Sequence, residues 1–310
     1  MKAIRIHEFG GPDVLKLEDL PQPQPGPGEV LIKVRAAGVN PVDYKIREGK
    51  YPAVTAEQLP VTLGRDVAGV VVALGQDVRD LAVDDAVFAM LPQDRGGYAE
   101  WVTVPAQLCA RSPEALDMIQ AASVPLAALT AWQGLFTHGE LQTDQTVLIH
   151  GASGGVGPFA VQFAKLFGAQ VFATASAEHR DFVEGLGADR VIDYRGERFE
   201  DIVPPLDLVL DLVGGETQER SWAVIRPGGR LVSALQQPDD HKAAKLGIIA
   251  SRYTCQPDGD QLREIAALIA DGKVKVTVDK VFPLIHAADA ETHLQDHHAP
   301  GKVVLEVSPR

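Results

Sequence analysis

The chain has 310 residues, of which 45% are hydrophobic and 23% charged, and its formal net charge is −13. This length exceeds what one hydrophobic core usually organises, so we expect two domains. The acidic balance argues against a nucleic-acid partner and against an anionic membrane surface. No apolar run approaches the length of a membrane span. Cys109 and Cys255 lie far apart in the sequence, which favours reduced thiols and a cytoplasmic location.

The first part of the chain, to about residue 111, alternates short apolar runs with turns. Four prolines in 20–28 exclude a helix there and predict an extended linker. Alternating or β-branched runs predict strands in this part, at 1–6, 30–36, 67–74, 85–90 and 99–104. Short strands with Gly and Pro turns and few helices predict a small barrel-like β domain.

From about residue 113 helices alternate with strands. The Ala- and Leu-rich segment 113–134 is predicted to be helical, with a kink or restart at Pro125. Further strands are predicted at 146–150, 170–174, 190–193, 206–212, 229–235 and 246–250, and further helices at 154–167, 178–186 and 215–225. Such alternation predicts a parallel sheet covered on both faces, a doubly wound domain.

The tail, from about residue 257, adds a predicted helix at 260–270 and a strand at 274–278. A His-rich helix and a last strand at 302–307 follow. This strand content is similar to that of the first part, so we expect the chain to return and complete the β domain. The predicted fold class is therefore α/β, with the doubly wound domain inserted into a β-rich one.

A glycine-rich segment, Gly151-Ala-Ser-Gly-Gly-Val-Gly157, lies between an apolar strand and an amphipathic helix. A pyrophosphate bound at a helix N-terminus needs free backbone N–H groups and no side chain in the way. Ala152 stands where the usual motif has its first glycine, but the strand–loop–helix context remains. We predict that this loop binds a dinucleotide through Ala152, Ser153, Gly154, Gly155, Val156 and Gly157.

The choice of cofactor is predicted from the end of the second strand of this domain, where an NAD site places an Asp or Glu. Here the chain has the uncharged Thr174-Ala-Ser176, with Arg180 just after and Tyr194 at the end of the next strand. A missing carboxylate, a cation and hydroxyl donors favour a 2′-phosphate, so these four residues predict NADPH. The alternative is that Arg180 is a solvated helix residue.

Several segments occur in a characteristic order: MKAIRIHEFGGPDVLKLEDLP, PGPGEVLIKVRAAGVNPVDYKIREG, LGRDVAGVV, GGYAEWVTVP, AASVPLAALTAWQGL, HGASGGVG, LGADRVID and APGKVVLEV. They resemble the medium-chain dehydrogenase/reductase superfamily, specifically its zinc-independent quinone oxidoreductase (zeta-crystallin-like) family, along essentially the whole chain. The segments DYKIR and RDVAG also resemble chloroplast-envelope quinone oxidoreductase-like and alkenal/enone reductase members.

The resemblance implies a GroES-like β-rich catalytic domain, made of 1–118 and 258–310. It also implies a Rossmann NADP-binding domain of 119–257, an NADPH site in the cleft between the two, and commonly a homodimer. Residues 246–250 are the candidate edge strand for pairing across such a dimer.

Zinc-dependent relatives carry a cysteine where this chain has Asn40, and Gly-His-Glu where it has Gly64-Arg65-Asp66. Neither asparagine nor arginine replaces a thiolate or an imidazole as a zinc ligand, and the four-cysteine zinc lobe is also missing. We therefore predict no bound metal. Without a Lewis acid, alcohol oxidation is disfavoured, and reduction of an already electrophilic acceptor is the easier reaction.

The resemblance places the Asn-Pro-Val-Asp-Tyr turn at the nicotinamide end of the cleft. We predict catalytic roles for Asn40, which would hydrogen-bond cofactor or substrate, for Asp43, and for Tyr44 as proton donor. The alternatives are that Tyr44 is a packed aromatic and that Asp43 only caps a helix. Further cofactor contacts, from the resemblance or from position at strand ends, are predicted at Thr130, Val213, Gly214, Ala234, Leu235, Gly301 and Lys302.

The leading functional hypothesis is NADPH-dependent, zinc-independent reduction of a quinone or an α,β-unsaturated carbonyl (enone or enal) by direct hydride transfer. A first rival is an enoyl-thioester reductase, which performs the same chemistry on a bulkier acyl carrier. A second rival is an NADPH-binding protein with a structural or regulatory role and little turnover. The expected partners are a small-molecule acceptor and a second copy of the chain.

Overall fold

A computed structural model describes residues 1–297 and 300–307. The strands are β1 (Lys2–Ile6), β2 (Lys16–Asp19), β3 (Glu29–Val39), β4 (Val61–Thr62), β5 (Asp66–Leu74), β6 (Ala86–Met90), β7 (Trp101–Pro105), β8 (Cys109–Arg111), β9 (Thr146–Ile149), β10 (Gln170–Ala175), β11 (Arg190–Asp193), β12 (Leu206–Asp211), β13 (Ile225–Ser233), β14 (Ile249–Arg252), β15 (Val278–Pro283) and β16 (Lys302–Glu306). The α-helices are α1 (Pro41–Arg47), α2 (Met118–Ala122), α3 (Pro125–Trp132), α4 (Gly157–Leu166), α5 (Arg180–Gly185), α6 (Gly215–Ser221), α7 (Asp240–Leu246), α8 (Gly259–Ala270) and α9 (Ala287–Asp296).

The described chain forms two compact units. The first unit comprises Met1–Leu126, Pro257–Gly272 and the described part of Val276–Arg310, and the second unit comprises Ala127–Gln256 with Lys273–Lys275. The sequence predicts domain boundaries at 118/119 and 257/258. In the structure the first unit gives way to the second at 126/127, and the chain returns to the first unit at 256/257. Within the described residues, no helix combines the length and the apolar character that a membrane crossing requires.

The first unit is built around β3, which pairs with β5, β7 and β16 in a mainly antiparallel sheet of order β15-β16-β3-β5-β6-β8. A small sheet of order β2-β1-β4 completes it. The alternating side chains Val30, Ile32 and Val34 of β3 are fully buried, as expected for a strand with one face in a core. The predicted β-rich domain, completed by the returning tail, is confirmed.

Helix α1 follows β3 directly. Asn40 is its N-cap residue and Pro41 its first residue, a position where the missing N–H of proline has no cost. The Asp43 carboxylate accepts the backbone N–H of Asn40 at 2.8 Å, which fixes the start of the helix. The sequence N-P-V-D-Y therefore specifies a sharp turn from strand to helix.

The second unit holds a parallel sheet of order β11-β10-β9-β12-β13-β14. This order, with β9 in the middle and the chain winding outward in both directions, is that of a doubly wound dinucleotide-binding sheet. The carboxyl ends of β9, β10, β12 and β13 share one edge, so the segments that follow them lie close together. The predicted doubly wound domain is confirmed.

Some elements differ from prediction. The helix predicted from 154 starts at Gly157, because 153–156 remain a loop. The strand predicted at 246–250 is present but shifted: α7 occupies the chain up to Leu246, and the edge strand β14 begins at Ile249. Asp239 caps α7 through the N–H groups of its first turn, and Gly247 ends it with φ 65°. The strand predicted at 274–278 begins only at Val278, as β15.

Candidate functional site

The glycine-rich loop between β9 and α4 presents unused backbone donors. Gly151 adopts φ 73° and donates its N–H to the Thr174 hydroxyl, which turns the chain away from β9. Ala152 donates its N–H to the Thr174 carbonyl at 3.0 Å, which ties the loop to β10. Among described residues, none accepts the N–H of Ser153, Gly155, Val156 or Gly157. These four donors lie at the positive end of α4, which is the arrangement that binds a phosphate.

Two glycines of this loop have different surroundings. A Cβ on Gly157 would collide with the Gly151 carbonyl and the Ala152 backbone, so only glycine lets α4 start this close to the strand. A Cβ on Gly154 would meet only the Gly151 carbonyl oxygen, at 3.6 Å, so the space beside it is open. The loop therefore fits a pyrophosphate, with Gly157 needed for packing and Gly154 for the approach of the ligand.

The end of β10 carries hydroxyl groups, as predicted. Thr174 is buried, and its hydroxyl also contacts Nδ1 of the buried His150 at 3.1 Å, so it supports the loop from below. Ser176 lies beyond the strand, where its hydroxyl donates to the Glu178 carboxylate at 3.0 Å and contacts Nδ1 of His179 at 3.2 Å. The same His179 nitrogen is 3.2 Å from the Ser153 hydroxyl of the glycine-rich loop. His179 therefore joins the two segments that flank a cofactor ribose in this fold.

The residues predicted to bind a 2′-phosphate do not all come together. Tyr194 donates its backbone N–H to the Ala175 carbonyl at 3.2 Å, so it lies at the end of β10, with its ring exposed and covered on one side by Arg195. Arg180 points elsewhere: its guanidinium donates to the Val191 carbonyl at 2.8 Å and to the Glu197 carboxylate at 2.9 Å. The cation predicted from the sequence is thus engaged in holding α5 to β11.

The ends of β12 and β13 are joined by a buried acid. Asp211 accepts the N–H groups of Val213 and Gly214, the Gln218 amide and the Ser233 hydroxyl. Val213 and Leu235 are exposed at this edge, next to Gly214 and Ala234. The structure thus brings these four predicted residues together at the carboxyl edge of the sheet. Thr130 is buried in α3, where its carbonyl accepts the Tyr253 hydroxyl at 2.7 Å.

In the first unit, Asn40 and Lys302 belong to one buried polar network. The Asn40 amide donates to the Asp66 carboxylate at 2.8 Å, and its oxygen accepts from Lys302 Nζ. Lys302 Nζ also donates to the Val39 carbonyl at 3.1 Å and lies 3.6 Å from Asp66. Burial lowers the pKa of Lys302, and it raises the pKa of Asp66. The Asn40 and Lys302 side chains therefore already have partners within this unit, next to the tight Gly301 turn with φ 100°.

Asp43 lies beside this network and is completely buried. Its Oδ2 accepts the Asn40 N–H and the Tyr98 hydroxyl, the latter at 3.0 Å, while Oδ1 has no partner. Burial raises the pKa of this carboxyl to about 6. The structure therefore shows Asp43 as a capping residue of α1, which is the alternative considered from the sequence.

Tyr44, by contrast, is half-buried. Among described residues, none contacts its hydroxyl as a hydrogen-bond partner, and the hydroxyl is not sealed from solvent. Partial burial raises the pKa of the phenol, so it stays protonated at neutral pH. Of the three residues predicted to be catalytic, Tyr44 combines an unpartnered polar group with access to solvent, whereas the unpartnered Asp43 oxygen is sealed.

A second buried pair lies at the other end of α1. Arg47 donates to the Glu291 carboxylate at 2.6 Å, to the Gly10 carbonyl at 2.9 Å and to the Gln295 amide oxygen at 3.0 Å. Glu291 keeps one oxygen without a partner. Burial raises the pKa of Glu291 to about 8, against the opposing effect of Arg47. This pair joins α1 to α9 and closes the unit.

No cluster of three or more His, Cys, Asp or Glu side chains with metal-binding geometry occurs within 1–297 and 300–307. The positions compared with zinc ligands hold the bonded Asn40 amide and the Arg65 guanidinium. The free cysteines are Cys109, which is buried, and Cys255, which is half-buried.

Several polar residues of the site escaped the sequence prediction. His179 directly precedes the predicted Arg180, and a histidine next to a missing carboxylate was an available signal for it. Asp66, Tyr98 and Glu291 take part in buried networks that join distant segments. Nothing in their local sequence marks them, because burial and pairing are set by the tertiary fold.

Known families match two parts of the chain, and known proteins match it over its whole length. Residues 26–114 match the alcohol dehydrogenase GroES-like domain, and residues 186–305 match the zinc-binding dehydrogenase family. The chloroplastic NADPH-dependent alkenal/one oxidoreductase of Arabidopsis thaliana is 40% identical over 100% of this chain and 80% of its own length.

Solved structures give the same result. A quinone oxidoreductase from Coxiella burnetii is 36% identical and superposes with a TM-score of 0.91 over 99% of both chains. A mycobacterial protein solved in complex with NADPH is 33% identical, with a TM-score of 0.88 over 99% of this chain and 100% of its own. This chain therefore belongs to the quinone oxidoreductase family of the medium-chain dehydrogenase/reductase superfamily.

Proposed function

We propose that this protein reduces quinones or α,β-unsaturated carbonyls with NADPH, by direct hydride transfer and without a metal ion. The observation that carries the proposal is the loop between β9 and α4, whose four unused N–H groups fit a pyrophosphate. The activities named for the Arabidopsis and Coxiella relatives support the choice of acceptor, and the mycobacterial structure with NADPH supports the choice of cofactor.

Recognition of NADPH is proposed to centre on His179, Ser176 and Tyr194. The Ser176 hydroxyl contacts the His179 imidazole just beyond β10, and the Tyr194 backbone N–H bonds to Ala175 at the end of the same strand, where a ribose 2′ substituent lies in this fold. Arg180 is engaged by Glu197 and Val191, so we now give it a structural role. Arg195, which lies over the Tyr194 ring, adds positive charge at the same place.

When bound, NADPH supplies a hydride from C4 of its nicotinamide. The residues around the carboxyl edge of the second unit's sheet hold and orient the cofactor, which is the main requirement of this reaction. The Tyr44 phenol is the proposed proton donor, because its hydroxyl is free and its raised pKa keeps it protonated. Asn40, Asp43 and Lys302 are proposed to position the turn that carries Tyr44.

Metal independence is part of this proposal. Asn40 and Arg65 offer no thiolate or imidazole, and the Asn40 amide is already bonded on both its oxygen and its nitrogen. The reaction needs no metal, because an enone or a quinone is electrophilic before it binds.

The first experiment is an assay of NADPH oxidation in a metal chelator, with a benzoquinone, a naphthoquinone, a small enone, an enal and an enoyl-CoA as acceptors and NADH as control. Turnover with NADPH and a quinone or small enone, undiminished by the chelator, is the expected result. Turnover with enoyl-CoA alone would replace the proposal by an enoyl-thioester reductase. Tight NADPH binding with no turnover would indicate a binding protein.

We also propose a homodimer and a cytoplasmic location. Strand β14 lies at the edge of the parallel sheet, with the Ile249 side chain half-exposed, so its outer side offers free backbone groups to a second strand. Light scattering coupled to size exclusion tests the dimer. Ala250→Pro should convert it to a monomer, because the N–H groups of Tyr253 and its alternate neighbours face β13, which leaves the Ala250 N–H on the outer edge.

A further inference from the structure

Arg65 is a buried cation that the protein itself does not satisfy. Its residue surface is only 6% exposed, which makes it one of three buried cations in the described chain, with Arg47 and Lys302. Arg65 donates from Nε to the Leu91 carbonyl at 2.9 Å. Within 1–297 and 300–307, no group accepts from Nη1 or Nη2, and no carboxylate lies within ion-pair distance. Neither nitrogen is sealed from solvent, so both remain available to a ligand.

The carboxylate next to Arg65 in the chain is occupied elsewhere. Asp66 accepts the Asn40 amide at 2.8 Å and the Leu126 N–H at 2.7 Å, and it faces Lys302. Asp66 and Arg65 nevertheless interact electrostatically, since the positive charge of Arg65 acts to lower the pKa of Asp66. The negative charge of Asp66 offsets part of the cost of burying the Arg65 guanidinium. Asp66 accepts no hydrogen bond from the Nη groups, however.

The Arg65 side chain is held in a fixed direction. Its backbone carbonyl accepts the Leu91 N–H at 2.7 Å, while its Nε donates to the Leu91 carbonyl, so one residue clamps it from both sides. Gly64 before it has φ 94°, and a Cβ there would collide with the Tyr98 ring. The backbone that presents Arg65 is thereby fixed as well.

The Arg65 guanidinium is anchored through Nε, while its Nη groups reach solvent and have no protein acceptor, so they are placed to donate to a ligand. The planar guanidinium with free Nη groups suits an oxygen atom that carries or develops negative charge. We propose that Arg65 binds the carbonyl oxygen of the acceptor and stabilises the negative charge that forms on it during reduction. This inference rests on the proposed function and adds the residue that replaces a Lewis acid.

In the proposed step, a hydride carrying two electrons leaves NADPH and forms a C–H bond at the β-carbon of an enone. The C=C electrons shift to the neighbouring bond and the C=O electrons move to the oxygen, which becomes an enolate held by Arg65. A proton then adds to the α-carbon, and NADP⁺ and a saturated carbonyl compound remain. A quinone gives the hydroquinone monoanion in the same way and takes up one proton. Because Arg65 donors are oriented before the reaction, they favour the charged oxygen over the neutral one.

The test compares Arg65→Met with Arg65→Lys and wild type, in three measurements. With a benzoquinone and a small enone, Arg65→Met should lower kcat/KM by about 100-fold, the effect typical of a lost oxyanion donor. Arg65→Lys should retain part of the rate, because it keeps the charge but not the planar fork. The dissociation constant of NADPH should stay unchanged in both variants.

The second measurement needs no turnover. A nitrophenolate anion is a stable mimic of the charged oxygen, and its binding to the NADP⁺ complex is measured by calorimetry. Wild type should bind it, and Arg65→Met should bind it about 10-fold or more weakly. The third measurement is thermal unfolding, where Arg65→Met should unfold close to wild type, because it loses one hydrogen bond, from Nε to the Leu91 carbonyl, and no ion pair.

The outcomes separate the two proposals. If wild type oxidises no NADPH with any acceptor, the proposed function and this inference both fail. If wild type turns over while Arg65→Met keeps its kcat/KM and only unfolds at lower temperature, Arg65 is structural and this inference alone is wrong. Weaker binding of NADPH by Arg65→Met would also overturn it, since the residue would then contact the cofactor.

Discussion

Two buried arginines of the first unit, Arg47 and Arg65, have opposite environments. Arg47 is 1% exposed and donates to three acceptors, one of them the Glu291 carboxylate. Arg65 is almost as buried but makes a single hydrogen bond, to a backbone carbonyl. Removing a buried cation with several protein acceptors destabilises the fold, because those acceptors lose their donor, whereas a cation with unused donors has fewer protein contacts to lose. The comparison teaches that unused donors, rather than burial, mark the residues that await a ligand.

The second unit repeats this contrast. Arg180 has two protein acceptors and joins α5 to β11. The loop N–H groups of Ser153, Gly155, Val156 and Gly157 have none among the described residues. In these two comparisons the satisfied donors are structural, and the unsatisfied donors of Arg65 and of the loop lie where we propose the substrate and the cofactor.

The largest expected effect is on the satisfied arginine. Arg47→Met leaves the Glu291 carboxyl, the Gly10 carbonyl and the Gln295 amide without their shared donor, and should lower the free energy of unfolding by about 1–3 kcal/mol for each acceptor left unsatisfied. Urea unfolding at neutral pH measures this, with Arg65→Met as matched control. Equal losses of unfolding free energy in Arg47→Met and Arg65→Met would show that the two arginines do not differ in their contribution to the fold.

A pH dependence should follow from Glu291. Because its pKa is raised to about 8 in the folded protein, it holds a proton there that the unfolded chain releases above its ordinary value of 4.5. The contribution of Glu291 to stability is therefore full below pH 4.5 and is lost as pH rises toward 8, at a slope of up to about 1.4 kcal/mol per pH unit.

The variant Glu291→Gln, compared with wild type from pH 6.5 to 8, separates this effect from those of Asp66 and Lys302, whose pKa values are also shifted by burial. Asp43, with a pKa of about 6, loses its proton below that window. His150, with its pKa lowered to about 4 by burial, changes stability only below its ordinary value of 6.5, and in the opposite direction. Glu291→Gln should therefore flatten the decline of stability in this window. An unchanged slope in that variant would show that Glu291 is ionised when folded.

The two loop glycines provide a matched pair. Gly157→Ala should destabilise the fold by about 1–3 kcal/mol, because the new Cβ collides with the Gly151 and Ala152 backbone. Gly154→Ala has room for its methyl group and should unfold like wild type, yet bind NADPH about 10-fold more weakly because the methyl group meets the ligand. Thermal unfolding and fluorescence titration with NADPH measure the two effects. Normal NADPH binding by Gly154→Ala would show that the pyrophosphate does not bind beside Gly154 in this loop.

The smallest expected effect concerns the choice between NADPH and NADH. His179→Ala should weaken NADPH by roughly 1–3 kcal/mol of binding free energy and leave NADH almost unchanged, since it removes a donor near the 2′-phosphate. Arg180→Ala should leave the ratio of the two dissociation constants unaltered. If Arg180→Ala instead weakened NADPH binding alone and His179→Ala did not, Arg180 would be the ligand of the 2′-phosphate. The proposal that His179 recognises this phosphate would then be wrong.

The fold was largely predictable because its signals are local. Alternation in 30–36 and the turn from strand to helix around Gly151 each follow from a few neighbouring residues. Strand β14 was misplaced because the capping signals of α7, Asp239 and Gly247, were overlooked. The carboxyl ends of parallel strands share one edge, which is why Val213 and Ala234 could be placed together from sequence.

The polar groups of the site were harder to predict, since their roles depend on partners far away in the chain. Arg180 was predicted as a phosphate ligand, but Glu197 and Val191 lie within its reach once β11 is in place. Asn40 was predicted to face the cofactor, but it meets Lys302, which lies 262 residues further along. No local pattern shows whether a buried donor is already satisfied.

The most direct test of the central claim is the reduction of a small enone with NADPH deuterated at the transferable C4 position, in enzyme freed of metal by chelation. One deuterium is expected at the β-carbon of the saturated product, measured by NMR, at a rate that added zinc does not raise. Loss of the deuterium to solvent, or a reaction that begins only when zinc is restored, would contradict metal-free direct hydride transfer.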